Sequence, residues 1–326
     1  MRSRLLVVPI VLLSLLAAAC GGGSSGGVSS KVLKVGTINY VDSLNPYSYI
    51  EASGYNAMVQ IYPLLIQYQP KSNEFEGDLA DSWSLSADGT VYTFKLKTNG
   101  KWSDGTPITA DDAAWTINTT VKYQAAATAN SAGAVSHVVK AEAPSADTLT
   151  ITYDAPIANA LPQLQQLFIL PKHVWEKLEG TDGSGLKKYA PQEQLPIVTG
   201  GPYTIEKWEL KGTTVFKADP NFYGPKSKVS AIALVYYTSE DAMLADLRNG
   251  EVDWVDEVPI SAATALAKEK GIVVEEIPGA ETTNITWNSN PKKKQNRELL
   301  DPKVKTALSM AVDRDRIIDV VFGGHA

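Results

Sequence analysis

The pattern of apolar and polar positions is sharpest between Val198 and Asp256. Tyr203, Ile205 and Trp208 open an apolar pattern, and Thr214-Val215-Phe216 favours extended backbone. Asp219-Pro220-Asn221 and Tyr223-Gly224-Pro225 carry turn chemistry. The run from Ile232 to Tyr237 is nearly continuously apolar, which marks a strand covered on both faces. Ser239 is placed to cap a helix running through Arg248, with Ala242, Leu244, Ala245 and Leu247 as its apolar positions. Asn249-Gly250 closes that helix, and Val252 to Val255 starts another strand. Two strands, a third strand after a turn, a helix and a last strand predict a βαβ unit in an α/β lobe. Gly200 and Gly201 permit positive φ and Pro202 fixes the next φ, so the segment opens with a forced backbone turn.

Other stretches read in the same way. Lys31 to Tyr40 alternates as a first strand, and Asp42 to Pro46 is a loop. Ser53 to Leu65 reads as a helix with Ala57, Val59, Ile61, Leu64 and Leu65 inward. Val91 to Leu96 has strand period two, with the hairpin signal Asp88-Gly89 before it. Thr109 is an N-cap candidate with Asp111 and Asp112 in the first turn, where acidic side chains suit the helix dipole. Thr148 to Tyr153 is a strand, and Ala160 to Leu167 and Lys172 to Leu178 are short helices. Residues 78–190 thus form a strand-rich insertion. Beyond Asp256, Ser261 to Lys270 is expected as a helix, 272–277 and 282–287 as strands, and Pro302 to Val321 as one amphipathic helix. Pro291 to Arg297 is a basic loop.

Composition changes the picture at the ends. At 326 residues the chain is long enough for about two domains. The net charge of −6 disfavours non-specific nucleic-acid binding, and no basic stripe with interleaved aromatics is present. Arg2 and Arg4 precede the apolar run Leu5 to Leu16, which is too short to span a membrane. Ala17-Ala18-Ala19 then leads to Cys20, the one cysteine of the chain. This arrangement resembles the lipobox of bacterial lipoproteins, with Leu16 one step earlier than the usual position. Residues 1–19 are therefore expected as a lipoprotein signal peptide, with Cys20 carrying lipid. Residues 20–30, CGGGSSGGVSS, are a flexible tether.

Several segments, in order, resemble one known family. They are Leu44-Asn45-Pro46, Leu79 to Trp83 followed by Asp88 to Phe94, and Lys101-Trp102-Ser103-Asp104-Gly105-Thr106-Pro107-Ile108-Thr109-Ala110-Asp111-Asp112. Gly200-Gly201-Pro202-Tyr203, Asn221-Phe222-Tyr223-Gly224, Leu247 to Asp253, and the Val304 to Ile318 segment with Ala311-Val312-Asp313-Arg314 complete the set. Together they resemble bacterial extracellular solute-binding proteins of the peptide, oligopeptide and nickel class, family 5, the binding components of ABC importers. The resemblance implies an α/β, periplasmic-binding-protein-like bilobed fold of type II. Residues 31–280 would form the first lobe, with an inserted subdomain at about 55–195. Residues 281–326 would be the hinge crossing and the start of a second lobe that is largely missing, since family members continue beyond this helix. The 302–321 helix would then keep uncovered apolar surface.

The same resemblance implies a monomeric protein, lipid-anchored at the outer face of the cytoplasmic membrane. It would capture a peptide or similar small solute and hand it to permease and ATPase subunits. No cofactor, metal or nucleic acid is expected. Outside the glycine-serine tether, where GGGSSGG matches GxSxG and GxGxxG by composition alone, the sequence has no GxSxG, HExxH, CxxC, P-loop or GxGxxG pattern, and His137, His173 and His325 lack partners at ligand spacing. A cell-envelope enzyme, a structural lipoprotein on a related scaffold and a non-functional remnant are the other readings. Ligands in α/β lobes sit at the carboxyl ends of strands. The candidate ligand-binding residues are accordingly Tyr40, Leu44 and Asn45 after the first strand, Trp102 before the Asp104-Gly105 turn, and Gly200, Gly201 and Tyr203. Core packing competes with this role for Tyr203, Trp208, Tyr223 and Trp254, and a helix-cap or ion-pair network suits Asp313 and Arg314 better than ligand contact.

Overall fold

The computed structural model describes residues 29–69, 71–72, 74–276 and 284–324. The expected signal peptide, Cys20, most of the expected tether and His325 lie outside these residues. The chain opens with β1 (Ser29–Thr37), whose Val35 and Thr37 are buried, and continues into α1 (Ala52–Ile61). Pro63 cannot continue that helix, so α1 ends four residues before the expected Leu65. A two-stranded ribbon follows, β2 (Ile66–Gln69) with β3 (Glu74–Gly77).

An antiparallel sheet comes next. β4 (Ala80–Leu85) and β5 (Val91–Leu96) form a hairpin, and Gly89 takes the left-handed φ of 73° that its turn requires. α2 (Ala110–Tyr123) then crosses the sheet before β6 (Val138–Ser145) and β7 (Thr148–Tyr153) complete the order β4-β5-β7-β6. The expected cap is present: Thr109 N donates to Asp112 Oδ2 at 2.9 Å, half of a capping box. Thr116 and Thr120 lie on the buried face of α2 and stay satisfied by donating to the carbonyls one turn earlier, at 2.8 and 2.7 Å. Short helices α3 (Ala160–Leu164), α4 (Lys172–Trp175) and α5 (Ser184–Lys188) cover the rest of the insertion.

The chain returns through β8 (Tyr203–Lys207), β9 (Thr213–Ala218) and β10 (Val229–Tyr236), then α6 (Glu240–Asn249) and β11 (Trp254–Val255). The main sheet has the order β11-β1-β10-β9-β8. β1 pairs in parallel with β10 and β11, and the β10-β9 and β9-β8 pairs are antiparallel. The two faces of β10 are both covered, as its apolar run predicts. Ile232 and Leu234 pack on the large core shared with the insertion, while Val235 packs on the smaller core of α6. Ser239 Oγ caps α6 at Ala242 N, and Gly250 closes it at φ 74°. Gly36 lets α6 approach β1, since a Cβ there would lie 2.9 Å from Met243 Cγ. One apolar cluster runs from Val41 through Phe94, Ile151 and Trp175 to Phe216, so insertion and main sheet share a core.

The remainder differs from the expectations. α7 (Ile260–Leu266) is shorter than Ser261 to Lys270. Residues 272–276 and 284–287, the described parts of two expected strands, are not strands. Val273 is 84 % exposed and Ile285 58 %, with no ladder partner among the described residues, and an apolar alternation without a partner gains nothing by extending. The expected single helix is two: α8 (Pro302–Met310) and α9 (Arg314–Val321). Asp313 is extended at ψ 90° and accepts from Arg316 N at 2.9 Å, so a new N-cap interrupts the run. No described residue from 284 to 324 is buried.

Candidate ligand-binding surface

Because β1, β10 and β11 run parallel, their carboxyl ends emerge on one edge of the sheet. That edge is where open α/β sheets hold ligands, because the loops leaving it can shape a cleft. The buried Thr37 organises the first loop. Its hydroxyl accepts from Asn39 N at 3.1 Å and its carbonyl accepts from Tyr237 N at 2.8 Å. Ser53 Oγ donates to Asn39 O at 2.9 Å, and Trp208 Nε1 donates to Val41 O at 2.9 Å. Trp208 is thus a brace on this loop. Between those ties Tyr40 is half-buried, edge-on to Tyr236 with ring centroids 5.7 Å apart. Lys211 Nζ lies 5.2 Å from the centre of the Tyr40 ring. Lys211 stands in the turn between β8 and β9 with φ 55°, exposed to solvent.

Asp256 follows β11 at the same edge. Desolvation raises its carboxyl above the usual range, with the Thr37 hydroxyl pulling the other way, although the residue as a whole is exposed. Trp254, 54 % exposed, sits on the edge strand β11. The edge therefore presents two aromatic rings, a cation over one of them and a carboxylate. Such a set can stack on an apolar or planar group and meet both ends of a zwitterion.

The other sequence candidates lie beneath the surface, and their expected role is corrected. Leu44 and Asn45 are fully buried. Asn45 Nδ2 donates to Leu186 O and Tyr189 O, both at 2.7 Å, and Oδ1 accepts from Tyr47 N at 2.8 Å. Its amide is committed to joining the first loop to α5. Gly200 and Gly201 do not take positive φ. Their N–H groups both donate to Ile61 O, at 2.8 and 2.9 Å. A Cβ on Gly200 would lie 2.8 Å from the Trp102 ring, and one on Gly201 2.5 Å from Gln60 O. These glycines permit chain-on-chain approach, not approach of a ligand. Trp102 is 2 % exposed, and its Nε1 lies beside Asp112 without a hydrogen bond of good geometry. Tyr203, 7 % exposed, hydrogen-bonds Ser227 Oγ at 2.7 Å through its hydroxyl.

These residues make a joint between insertion and main sheet. Ser103 N donates to Thr199 O at 2.7 Å, and Thr199 N donates back to Ser103 Oγ at 3.0 Å. Asp78 accepts from Leu64 N at 2.9 Å and from the Tyr223 hydroxyl at 2.8 Å. Burial raises the Asp78 carboxyl, and those bonds with the nearby Lys97 oppose the rise. Asp112, likewise raised by burial, accepts from Thr109 N and from Lys172 N. The sequence segments most specific to the resemblance thus meet in a packing joint. Sequence reading missed Lys211, Tyr236 and Asp256. The end of the apolar run at Tyr237 was a usable signal for Tyr236, and nothing local marked Lys211. Among the described residues no group of three or more His, Cys, Asp or Glu side chains is placed to hold a metal.

Residues 74–326 match the model of "Bacterial extracellular solute-binding proteins, family 5 Middle". The chain belongs to this family. A putative ABC transporter peptide-binding protein of Brucella ovis is 28 % identical over 303 residues, covering 92 % of this chain and 54 % of the relative. A probable D,D-dipeptide-binding periplasmic protein of Escherichia coli is 24 % identical, covering 91 % and 56 %. The fold of this family 5 chain matches the periplasmic binding protein DppA of Helicobacter pylori, solved with the peptide STSA. The TM-score is 0.76 at 23 % identity, over 90 % of this chain and 59 % of that one. It also matches NikZ of Campylobacter jejuni, solved with Ni(L-His), at TM-score 0.74 and 22 % identity, over 91 % and 56 %. The α/β architecture is that of type II periplasmic binding proteins. The chain spans about half the length of the curated relatives it matches.

Proposed function

We propose that this family 5 protein is the extracytoplasmic substrate-binding lipoprotein of an ABC importer, taking a peptide or similar small zwitterion. The supporting observation is the strand-end edge, where Tyr40, Tyr236 and Lys211 meet from distant parts of the sequence and Asp256 follows the neighbouring strand β11 beside Thr37. Relatives named as peptide-binding proteins support the ligand class. In this reading Tyr40 and Tyr236 stack against the solute backbone, Lys211 meets a carboxylate and Asp256 meets an ammonium group. Backbone groups of the loop after β1 supply further hydrogen bonds, which tolerate variation in ligand side chains. Cys20 carries the lipid and the glycine-serine tether keeps the body near its permease and ATPase partners.

Native mass spectrometry of the protein with a panel of di- to nonapeptides tests the ligand. Retention of peptide is expected, and Tyr40→Ala with Lys211→Ala weakens it at least about tenfold, the scale of one lost cation–π or charged contact. A full panel that leaves no adduct, or binding indifferent to both substitutions, overturns the reading. Metabolic labelling with palmitate, lost in Cys20→Ser, tests the anchor separately.

A further inference from the structure

The basic loop between Trp287 and α8 plays no part in the strand-end edge. Between residues 288 and 305 there are six basic and two acidic side chains, a net +4 on a chain whose total is −6. The structure shows that this segment is built. Asn290 N donates to Asn288 Oδ1 at 3.0 Å, and Lys292 N donates to Asn290 Oδ1 at 2.9 Å. Arg297 turns back into the loop, its Nη1 donating to Pro291 O at 3.3 Å and Lys293 O at 3.1 Å. Asn296 takes φ 51°, which turns the chain toward α8. Lys305 Nζ reaches Ser289 Oγ at 3.0 Å, so α8 adds its own cation to the loop. Asp301, one of the two acids, is occupied as the N-cap of α8, accepting from Lys303 N at 2.8 Å.

Lys292, Lys293, Lys294, Lys303 and Lys305 form no ion pair among the described residues. Lys293 and Lys294 line a shallow hollow of about 460 Å³ with Asn288, Gln295, Asn296 and Leu299. Its lining offers ammonium and amide donors and no carboxylate, the chemistry that suits phosphate oxygens. The hollow is open, so it does not enclose a small free anion, and no aromatic side chain lies between residues 288 and 305 to stack on a nucleobase. The remaining surface is acidic and repels an extended polyanion, whereas one local cluster can touch a charged plane.

We propose that this loop docks on the anionic headgroups of a phospholipid membrane. Clusters of four to eight basic residues held near an anionic surface act in this way, each raising affinity about fivefold and less as salt rises. The proposal rests on the lipoprotein reading, because the Cys20 anchor and tether bring the body to the membrane. The loop would then orient the tethered body.

Cosedimentation with vesicles tests it, using residues 20–326 with Cys20→Ser, so that neither the apolar run of residues 5–16 nor a lipid contributes. Vesicles of neutral phosphatidylcholine are compared with vesicles containing roughly a third phosphatidylglycerol, on the order used to mimic an anionic leaflet. Binding is expected to the anionic vesicles and to fall steeply with added salt. Lys292→Gln, Lys293→Gln and Lys294→Gln together lower it by about tenfold to a hundredfold, with unchanged circular dichroism and Tm. Three results overturn the proposal: binding that the triple variant leaves unchanged, equal binding to both vesicle types, or binding to duplex DNA in preference to vesicles. Failure of the anchor reading shows separately, as palmitate labelling that Cys20→Ser leaves intact.

Discussion

Two places in the molecule are built from turn and loop residues of similar type, and they do opposite things. The joint of Trp102, Gly200, Gly201, Tyr203 and Tyr223 is closed, with side chains packed to contact distance and backbone donors spent on neighbouring carbonyls. The strand-end edge of Tyr40, Tyr236, Lys211 and Asp256 keeps its rings and charges at the surface. The sequence segments that resemble the family most closely fall in the joint. A recognisable motif therefore marks how insertion and main sheet are held together, while the proposed ligand surface is made by topology.

Substitutions can separate the two. The largest effect is expected in the joint, where Trp102→Ala leaves a cavity and costs about 3–5 kcal/mol. Gly201→Ala drives a Cβ against the Gln60 carbonyl and costs roughly 3 kcal/mol. Urea unfolding measures both. Either variant unfolding with wild-type midpoint would show the joint to be loosely packed. Asn45→Ala comes next, at about 2–3 kcal/mol, since two buried carbonyls, Leu186 O and Tyr189 O, lose their donor.

Alkaline pH is a graded version of the same contrast. Burial pushes the Tyr47 phenol up to about 12, with its Thr120 hydrogen bond opposing the rise, and burial also raises Tyr62 and Tyr223. Above pH 10 the unfolded chain releases these protons and the native chain retains them. Native protein then binds more protons than unfolded protein, so stability falls as pH climbs from 10 towards 12, by about 1.4 kcal/mol per unit for each phenol. Absorbance at 295 nm should show these tyrosines ionising together with unfolding. Ionisation in folded protein would mean the core admits water. The smallest stability effect belongs to the edge: Tyr40→Ala and Lys211→Ala each cost about 1 kcal/mol or less, because Tyr40 is only half-buried and Lys211 is exposed, and such groups lose little on truncation.

Much of the fold was legible because it is local. The Ile232–Tyr237 run, the Ser239 and Thr109 caps, and the Asp88-Gly89 turn each declare themselves within a few residues. The expected strands at 272–276 and 284–287 failed because a strand needs a partner, and periodicity does not supply one. The break at Asp313 was hidden because a capping aspartate within an apolar pattern also suits an exposed helix face. The edge was legible only at Tyr40. Tyr40, Lys211 and Tyr236 meet because β1 lies beside β10 and the β8–β9 turn reaches back over the loop after β1, and strand order is not written in spacing. Gly200 and Gly201 misled because glycine serves any close approach, and the approaching groups here are the Trp102 ring at Gly200 and the end of α1 at Gly201.

In the proposed function ligand is held at the strand-end edge and the joint is only structural. Titration calorimetry with one bound peptide, run on Tyr40→Ala/Lys211→Ala and on Trp102→Phe under conditions where all are folded, tests it most directly. Affinity at least about tenfold weaker is expected for the edge variant and within about twofold of wild type for the joint variant, since a ring-for-ring change in a buried joint costs stability before affinity. Full affinity in the edge variant with loss in Trp102→Phe would contradict it.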